Sequence, residues 1–190
     1  MAVRRKASFA ERRAKRAEVA DPEEVLAAAL RFIEVRQRSV AEVRRRLSQG
    51  GYREDLVDGA LQRLGDLGIL DDQAFTAAWV ESRDRARPRG ERALRRELAL
   101  KGVDRGLIDA AMTERRPEPG GDDDPDAAAA RRLLERHAAA LARVADPRAR
   151  RQRAYALLAR NGFDPSLAAE VARSIEERRE DLPDEPAEPD

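Results

Sequence analysis

The chain has 190 residues, 39% of them charged, yet its formal net charge is only +1. Aromatic residues make up 4%, too few to cover the pleated faces of a large β-sandwich or barrel. With no Cys and a single His, a disulfide, a thiolate nucleophile and a Cys/His zinc site are all excluded.

Taken from the N-terminus, residues 1–20 form a basic arm, with Arg4, Arg5, Lys6, Arg12, Arg13, Lys15 and Arg16 against Glu11 and Glu18. The arm is expected to be disordered or weakly helical. No apolar segment follows its first basic residues, so no secretory signal is expected and the cytoplasm is the expected location. The longest apolar run is Val25 to Leu30, far short of the roughly 20 residues of a membrane span. Helix punctuation then begins. Asp-Pro pairs at Asp21-Pro22, Asp124-Pro125, Asp146-Pro147 and Asp164-Pro165 place a capping carboxylate beside a residue whose φ is pre-set for a first turn. Asp21 with Glu24, and Ser39 with Glu42, have the spacing of a capping box. Gly50-Gly51, Lys101-Gly102 and Asn161-Gly162 have the composition of helix C-caps. The punctuation predicts nine helices, near 23–37, 39–49, 54–67, 72–86, 88–101, 105–116, 126–144, 147–160 and 165–180. In 54–67 the apolar residues Leu56, Val57, Ala60, Leu61, Leu64 and Leu67 make one buried stripe. No segment alternates as a strand would, so an all-α fold is expected.

An internal repeat is aligned on Gly51, Gly102 and Gly162. Four residues before each glycine stands Leu47, Leu98 or Leu158, and one after stands Tyr52, Val103 or Phe163. Five after come Leu56, Leu107 and Leu167, and nine after come Ala60, Ala111 and Val171. Such a pattern describes a helix, a glycine cap, an apolar staple and a second helix, each copy completed by a preceding helix. Units this small need neighbours to bury their cores, so a tandem array of three three-helix repeats is expected, elongated and curved. The expected boundaries are 21–71, 72–116 and 126–180, with an acidic linker at 117–125 and a disordered acidic tail at 181–190.

The residues Arg38-Ser39-Val40-Ala41-Glu42-Val43, Leu47 and Gly51-Tyr52 resemble the first-repeat signature of the RecX family of bacterial recombinase regulators. Gly68-Ile69-Leu70-Asp71-Asp72, Phe75, Trp79-Val80 and Arg83 look like its central motif. Gly90, Leu94, Glu97-Leu98, Lys101-Gly102-Val103 and Ile108 are similar to its second-repeat signature, and Leu157-Leu158, Arg160 and Gly162-Phe163 fit the third more loosely. The resemblance covers about residues 25–178. It implies tandem three-helix repeats and a modulator, usually an inhibitor, of the RecA recombinase filament on DNA. Such a protein acts on ATP hydrolysis and strand exchange, in homologous recombination, DNA repair and the SOS response. The resemblance brings no catalytic residue and no cofactor, and a monomer with no membrane partner is expected.

The residues offer a contact surface of their own. Arg44, Arg45 and Arg46, and later Arg92, Arg95 and Arg96, project from equivalent helices, and a guanidinium fork suits carboxylate or phosphate. A solvated face with ion pairs such as Glu42–Arg46 and Glu91–Arg95 is the plainer alternative. Around Pro88, the arginines Arg83, Arg85, Arg87, Arg89 and Arg92 recur at short spacing. The candidate partner-binding set is therefore Arg44, Arg45, Arg83, Arg85, Arg87, Arg89, Arg92 and Arg96. Two other functions compete: a helical protein binding DNA directly, with weak DNA contact possible even for a RecA regulator, and a scaffold for an unrelated acidic partner.

Tyr52, Phe163 and Trp79 are expected in cores rather than on a base-stacking platform. Asp122, Asp123, Asp124 and Asp126 lack the spacing of a calcium loop. His137 has no nucleophile motif to serve, and no GxxxxGK phosphate loop exists, so an enzyme is not expected and neither cofactor nor metal is. The near-zero total charge hides a polarised chain: residues 127–175 hold ten arginines against four carboxylates, whereas 176–190 hold eight carboxylates against two arginines. The acidic tail is expected to shield the basic body from random DNA.

Overall fold

A computed structural model describes residues 8–115 and 124–180, with side chains through 174. The expectations for the linker around 117–123 and for the tail 181–190 lie outside the described residues. Eleven helices are present among those described: α1 (Phe9–Ala17), α2 (Pro22–Ile33), α3 (Val40–Gly50), α4 (Glu54–Asp66), α5 (Asp72–Ala86), α6 (Glu91–Leu100), α7 (Arg105–Glu114), α8 (Pro125–Arg136), α9 (Ala138–Ala142), α10 (Pro147–Arg160) and α11 (Pro165–Glu180). The expected all-α fold of repeated three-helix units is therefore present: α2–α4 and α5–α7 each make one, and α8–α11 make a third whose first helix is split into α8 and α9. None of these helices is long and apolar enough to cross a membrane.

Of the two alternatives for the basic arm, its described part is helical: Ser8 and Glu11 open α1 with a reciprocal capping box in which the Ser8 amide donates to the Glu11 carboxylate at 2.6 Å. Two helix boundaries are corrected. The expected helix 126–144 breaks at His137, whose φ of −103° and ψ of 6° leave helical geometry. The break returns Leu141 and Val144 to the core. The sixth helix starts at Glu91 rather than Pro88, and Pro88 is fully buried ahead of it.

The repeat offsets have a single structural explanation. Gly51, Gly102 and Gly162 take φ values of 99°, 79° and 83°, which only glycine adopts cheaply. The next residue's amide then reaches back to the carbonyl of the leucine at minus four: Tyr52 to Leu47 at 3.3 Å, Val103 to Leu98 at 3.2 Å, Phe163 to Leu158 at 3.3 Å. This is the Schellman closure, in which the last carbonyls of a helix find donors and two apolar side chains meet across the turn. The three leucines are buried, as are Val103 and Phe163, whereas Tyr52 is half-buried. Trp79, expected in the core, is half-buried with its indole N–H donating to Glu97 at 3.0 Å.

One core joins Val25, Leu26, Ala29, Val43, Leu47, Val57, Leu61, Leu64 and Leu70 of the first repeat. Another joins Ala129, Ala130, Leu133, Leu134, Leu141, Leu158, Phe163, Ala168 and Val171 of the third. The described residues group into two compact units, those up to 78 with 98–108, and 79–97 with those from 109 onward. Each unit contains one copy of the same junction. In the first, the Ser39 hydroxyl donates to the Lys101 carbonyl at 2.6 Å, and Asp72 accepts the Val40 amide at 2.9 Å. In the second, the Gly90 amide donates to the Asn161 carbonyl at 3.1 Å, and Asp126 accepts the Glu91 amide at 2.9 Å. Residues 39, 40 and 101 correspond to 90, 91 and 161 in the repeat alignment. Each junction thus sets the start of one repeat's central helix on the glycine-capped end of the next repeat's central helix. The first helix of that next repeat supplies the carboxylate cap.

Close approach makes the glycines obligatory for a second reason. A Cβ on Gly102 would overlap the Ala41 side chain, and one on Gly162 would overlap Ala93, whereas Gly68 (φ 67°) faces open space. Gly68→Ala should cost only the roughly 1–2 kcal/mol of a left-handed backbone. Gly162→Ala adds overpacking of about 1–3 kcal/mol, and urea denaturation of the two variants should rank them in that order.

Candidate partner-binding surface

The arginines divide by what they already hold. In the second unit Arg83 is largely buried over the Trp79 ring, 4.3 Å from its centroid, and donates to Glu97 at 2.6 Å. Arg89 is half-buried, 3.5 Å from Glu97, and also donates to the Asn161 side chain. Arg92 reaches Asp164 at 2.8 Å, and Arg85 pairs with Glu81, both on the exposed surface. Arg115, with a side chain only 8% exposed, forks onto Asp84 at 3.0 and 2.8 Å and pairs with Asp126. Burial disfavours its charge, but the hydrogen bonds that it donates to Asp84 and Asp126, with the charges of those carboxylates, outweigh that and raise its pKa. Arg136 closes the end of α5 by donating to the carbonyls of Arg85, at 2.9 Å, and Ala86.

In the first unit Arg44 pairs with Asp58, and Arg38 and Arg46 flank the Phe32 ring at 4.1 and 5.6 Å. Glu42 is the hub of the junction: it accepts from Lys101 at 2.8 Å, from Arg36 at 3.1 Å and from the Ser39 amide at 3.4 Å. Burial works to raise its carboxyl, but the Lys101 and Ser39 hydrogen bonds and the neighbouring positive charges hold it below the usual range. Asp72 shifts the other way. Burial, with the charges of Asp71 and Glu42, raises it against the bond from the Val40 amide.

Of the eight arginines expected at a contact surface, Arg45, Arg87 and Arg96 are therefore exposed without an ion pair or hydrogen bond to another described side chain. Arg45 and Arg96 occupy the same repeat position, six residues before Gly51 and Gly102. Arg44, Arg85 and Arg92 are exposed but paired, and Arg83 and Arg89 are built into the protein. The expected set contains no arginine of the third repeat. There Arg131, Arg132, Arg143, Arg148, Arg151, Arg153, Arg160 and Arg173 are exposed and make no ion pair with a described residue. The signal was present as the charge excess of 127–175, and it was not assigned to positions. Among the other features, Asp124 caps α8 and Asp126 belongs to the junction, while His137 is an exposed hinge between α8 and α9. Among the described residues no cluster of His, Asp and Glu suits a metal.

Two family models match in chain order: residues 26–64 match the first three-helix domain of RecX, and residues 71–112 the second. The regulatory protein RecX of Mycobacterium ulcerans is 34% identical over 149 residues, covering 78% of this chain and 83% of the relative. The chain belongs to the RecX family. RecX of Mycolicibacterium smegmatis is 33% identical over 155 residues, covering 79% of this chain and 81% of its own. The crystal structure of RecX from Lactobacillus salivarius superposes with a TM-score of 0.68 at 18% identity, over 82% of this chain and 96% of that one. A second RecX crystal structure gives 0.64 at 22%, over 87% and 73%. Both show the shared fold.

The two junction carboxylates should respond to pH in opposite senses. A depressed Glu42 stabilises the fold above its unfolded pKa of about 4.3 and loses that contribution as pH falls through its lower folded value. Glu42→Gln should therefore flatten the acid limb of a stability–pH curve. A raised Asp72 favours the fold while protonated, and that contribution is lost as pH rises through its folded value. Asp72→Asn keeps an acceptor without the charge, so it should match wild type at acid pH and exceed it near neutral pH, whereas Asp72→Ala should lose about 1 kcal/mol of capping.

Proposed function

We propose that this chain binds the RecA recombinase filament on DNA and lowers its ATP hydrolysis and strand exchange, without catalysis of its own. Membership of the RecX family carries this reading, since both three-helix domains match in order over the part of the chain that holds the candidate arginines. The physical support is the set of uncommitted guanidiniums. Arg45 in the first unit, and Arg87 and Arg96 in the second, have no internal carboxylate to release, so pairing with an acidic partner breaks nothing. Charge-assisted forks of this kind are shorter and stronger than neutral hydrogen bonds. Arg83 and Arg89 serve the partner indirectly, by holding the Pro88 segment against Glu97 and Asn161.

Homologous recombination and DNA repair are the setting this role implies, and the cytoplasm its place. The three-repeat division at 21–71, 72–116 and 126–180 is the organisation that we propose for binding.

The test is ATP hydrolysis by RecA on single-stranded DNA with the full chain added below stoichiometry. Hydrolysis should fall with the wild type. Arg45→Glu with Arg96→Glu should weaken the effect at least tenfold in the concentration required, with an unchanged thermal midpoint. Arg89→Ala should lower the midpoint itself. Hydrolysis and strand exchange unaffected by the wild-type chain would refute the reading.

A further inference from the structure

The groove between α10 and α11 is lined by Arg148, Arg151, Gln152, Tyr155, Ala169 and Arg173, around an open volume of about 550 Å³. Residues 148, 151, 152 and 155 make one stripe of α10, while 169 and 173 share a face of α11. The repeat alignment explains why this groove is unlike its relatives. Shifted by the 111 residues that separate Gly51 from Gly162, Arg44 becomes Tyr155 and Asp58 becomes Ala169. Val40 becomes Arg151, and Gln62 becomes Arg173. In the first repeat the corresponding groove holds the Arg44–Asp58 ion pair together with Asp66. In the second repeat the same positions hold Arg95 and Asp109, again paired. In the third repeat the pair is gone. Its arginine position carries an aromatic ring, its aspartate position a methyl group, and Arg148, Arg151 and Arg173 stand where the first repeat has Gln37, Val40 and Gln62.

We infer that the α10–α11 groove is a binding site for single-stranded nucleic acid, with Arg148, Arg151 and Arg173 on phosphates and Tyr155 against a base. Its lining carries no carboxylate, and none of the three arginines makes an ion pair with a described residue. Three like charges converging without internal neutralisation are relieved by an anionic ligand, and a polyphosphate backbone supplies charge at regular spacing. Tyr155 distinguishes that ligand from an acidic peptide. Tyr155 is 36% exposed at the groove, where a ring can stack on any base. Ala169 and Ala172 keep the opposite wall low enough for a planar group to enter. The inference goes beyond the RecA reading, because it concerns nucleic acid held by this chain directly.

Fluorescence anisotropy of a labelled oligothymidine, titrated with the full chain at low salt and without recombinase, tests it. Arg151→Ala with Arg173→Ala should weaken binding about tenfold and reduce the salt slope by roughly 1.4, at about 0.7 per lost phosphate contact. Tyr155→Ala should weaken binding with the slope unchanged. Ala169→Asp restores the carboxylate that the other two repeats carry and removes no arginine. It should also weaken binding, with wild-type helicity by circular dichroism. Wild-type affinity in the double variant or in A169D overturns the inference. So does an absence of binding by the wild type, or displacement by polyglutamate at the same charge concentration as by unlabelled oligothymidine. Loss of RecA inhibition does not enter this titration, so the two readings fail separately.

Discussion

The helix-end junction is the interaction on which the rest of the architecture depends. A helix leaves orphan N–H groups at its start and orphan carbonyls at its end, and burying either without partners is costly. This chain solves both problems at once by joining the start of one central helix to the end of the next. The arrangement needs a left-handed residue without a side chain at the C-terminus, hence Gly102 and Gly162, and a carboxylate from a third helix, hence Asp72 and Asp126. Small helices with thin cores gain in this way a second, polar source of order. That division suits a sequence in which charged residues are nearly as frequent as apolar ones.

The same economy sorts the arginines. Guanidiniums of the first two repeats are mostly committed: Arg115 between two aspartates, Arg83 between an indole and Glu97, Arg95 on Glu91 and Asp109. The exposed pairs, such as Arg44–Asp58 and Arg85–Glu81, contribute little to stability individually, about 0–1 kcal/mol. Their main consequence is to neutralise a surface that would otherwise attract anions indiscriminately. At Arg45, Arg87 and Arg96, and at Arg148, Arg151 and Arg153 of α10, no described carboxylate neutralises the exposed positive charge. Function on this protein is thus read from which arginines lack an internal acid, not from where arginines are dense.

Much of the fold was legible because it is written in caps. Asp21, Ser39, Asp146 and Gly51 mark helix ends by local chemistry, and the leucine and apolar residue flanking each glycine mark the Schellman closure. What stayed hidden was non-local. Nothing adjacent to Glu91 in the chain indicates that its amide is capped by Asp126, so the helix was placed to begin at Pro88. The extent of α1 was not legible because no apolar stripe marks it: none of its residues is buried, and it is held by the Ser8–Glu11 capping box and by Arg16 on the Gly50 carbonyl and the Tyr52 ring. The candidate surface was legible by type but not by residue. Arg83 and Arg87 look alike in the sequence, and only Glu97 and the Trp79 ring, brought in by folding, separate a structural arginine from a free one. The third-repeat groove needed both sources, since the alignment shows what was substituted and the structure shows what the substitution leaves unpaired.

Backbone hydrogen exchange of the full chain, measured alone and on RecA filaments assembled on single-stranded DNA, tests the regulatory role most directly. The account predicts added protection in the segments carrying the free arginines, 40–50 and 83–100, when the filament is present. Identical exchange in those segments with and without the filament, under conditions where RecA is fully assembled, would contradict it.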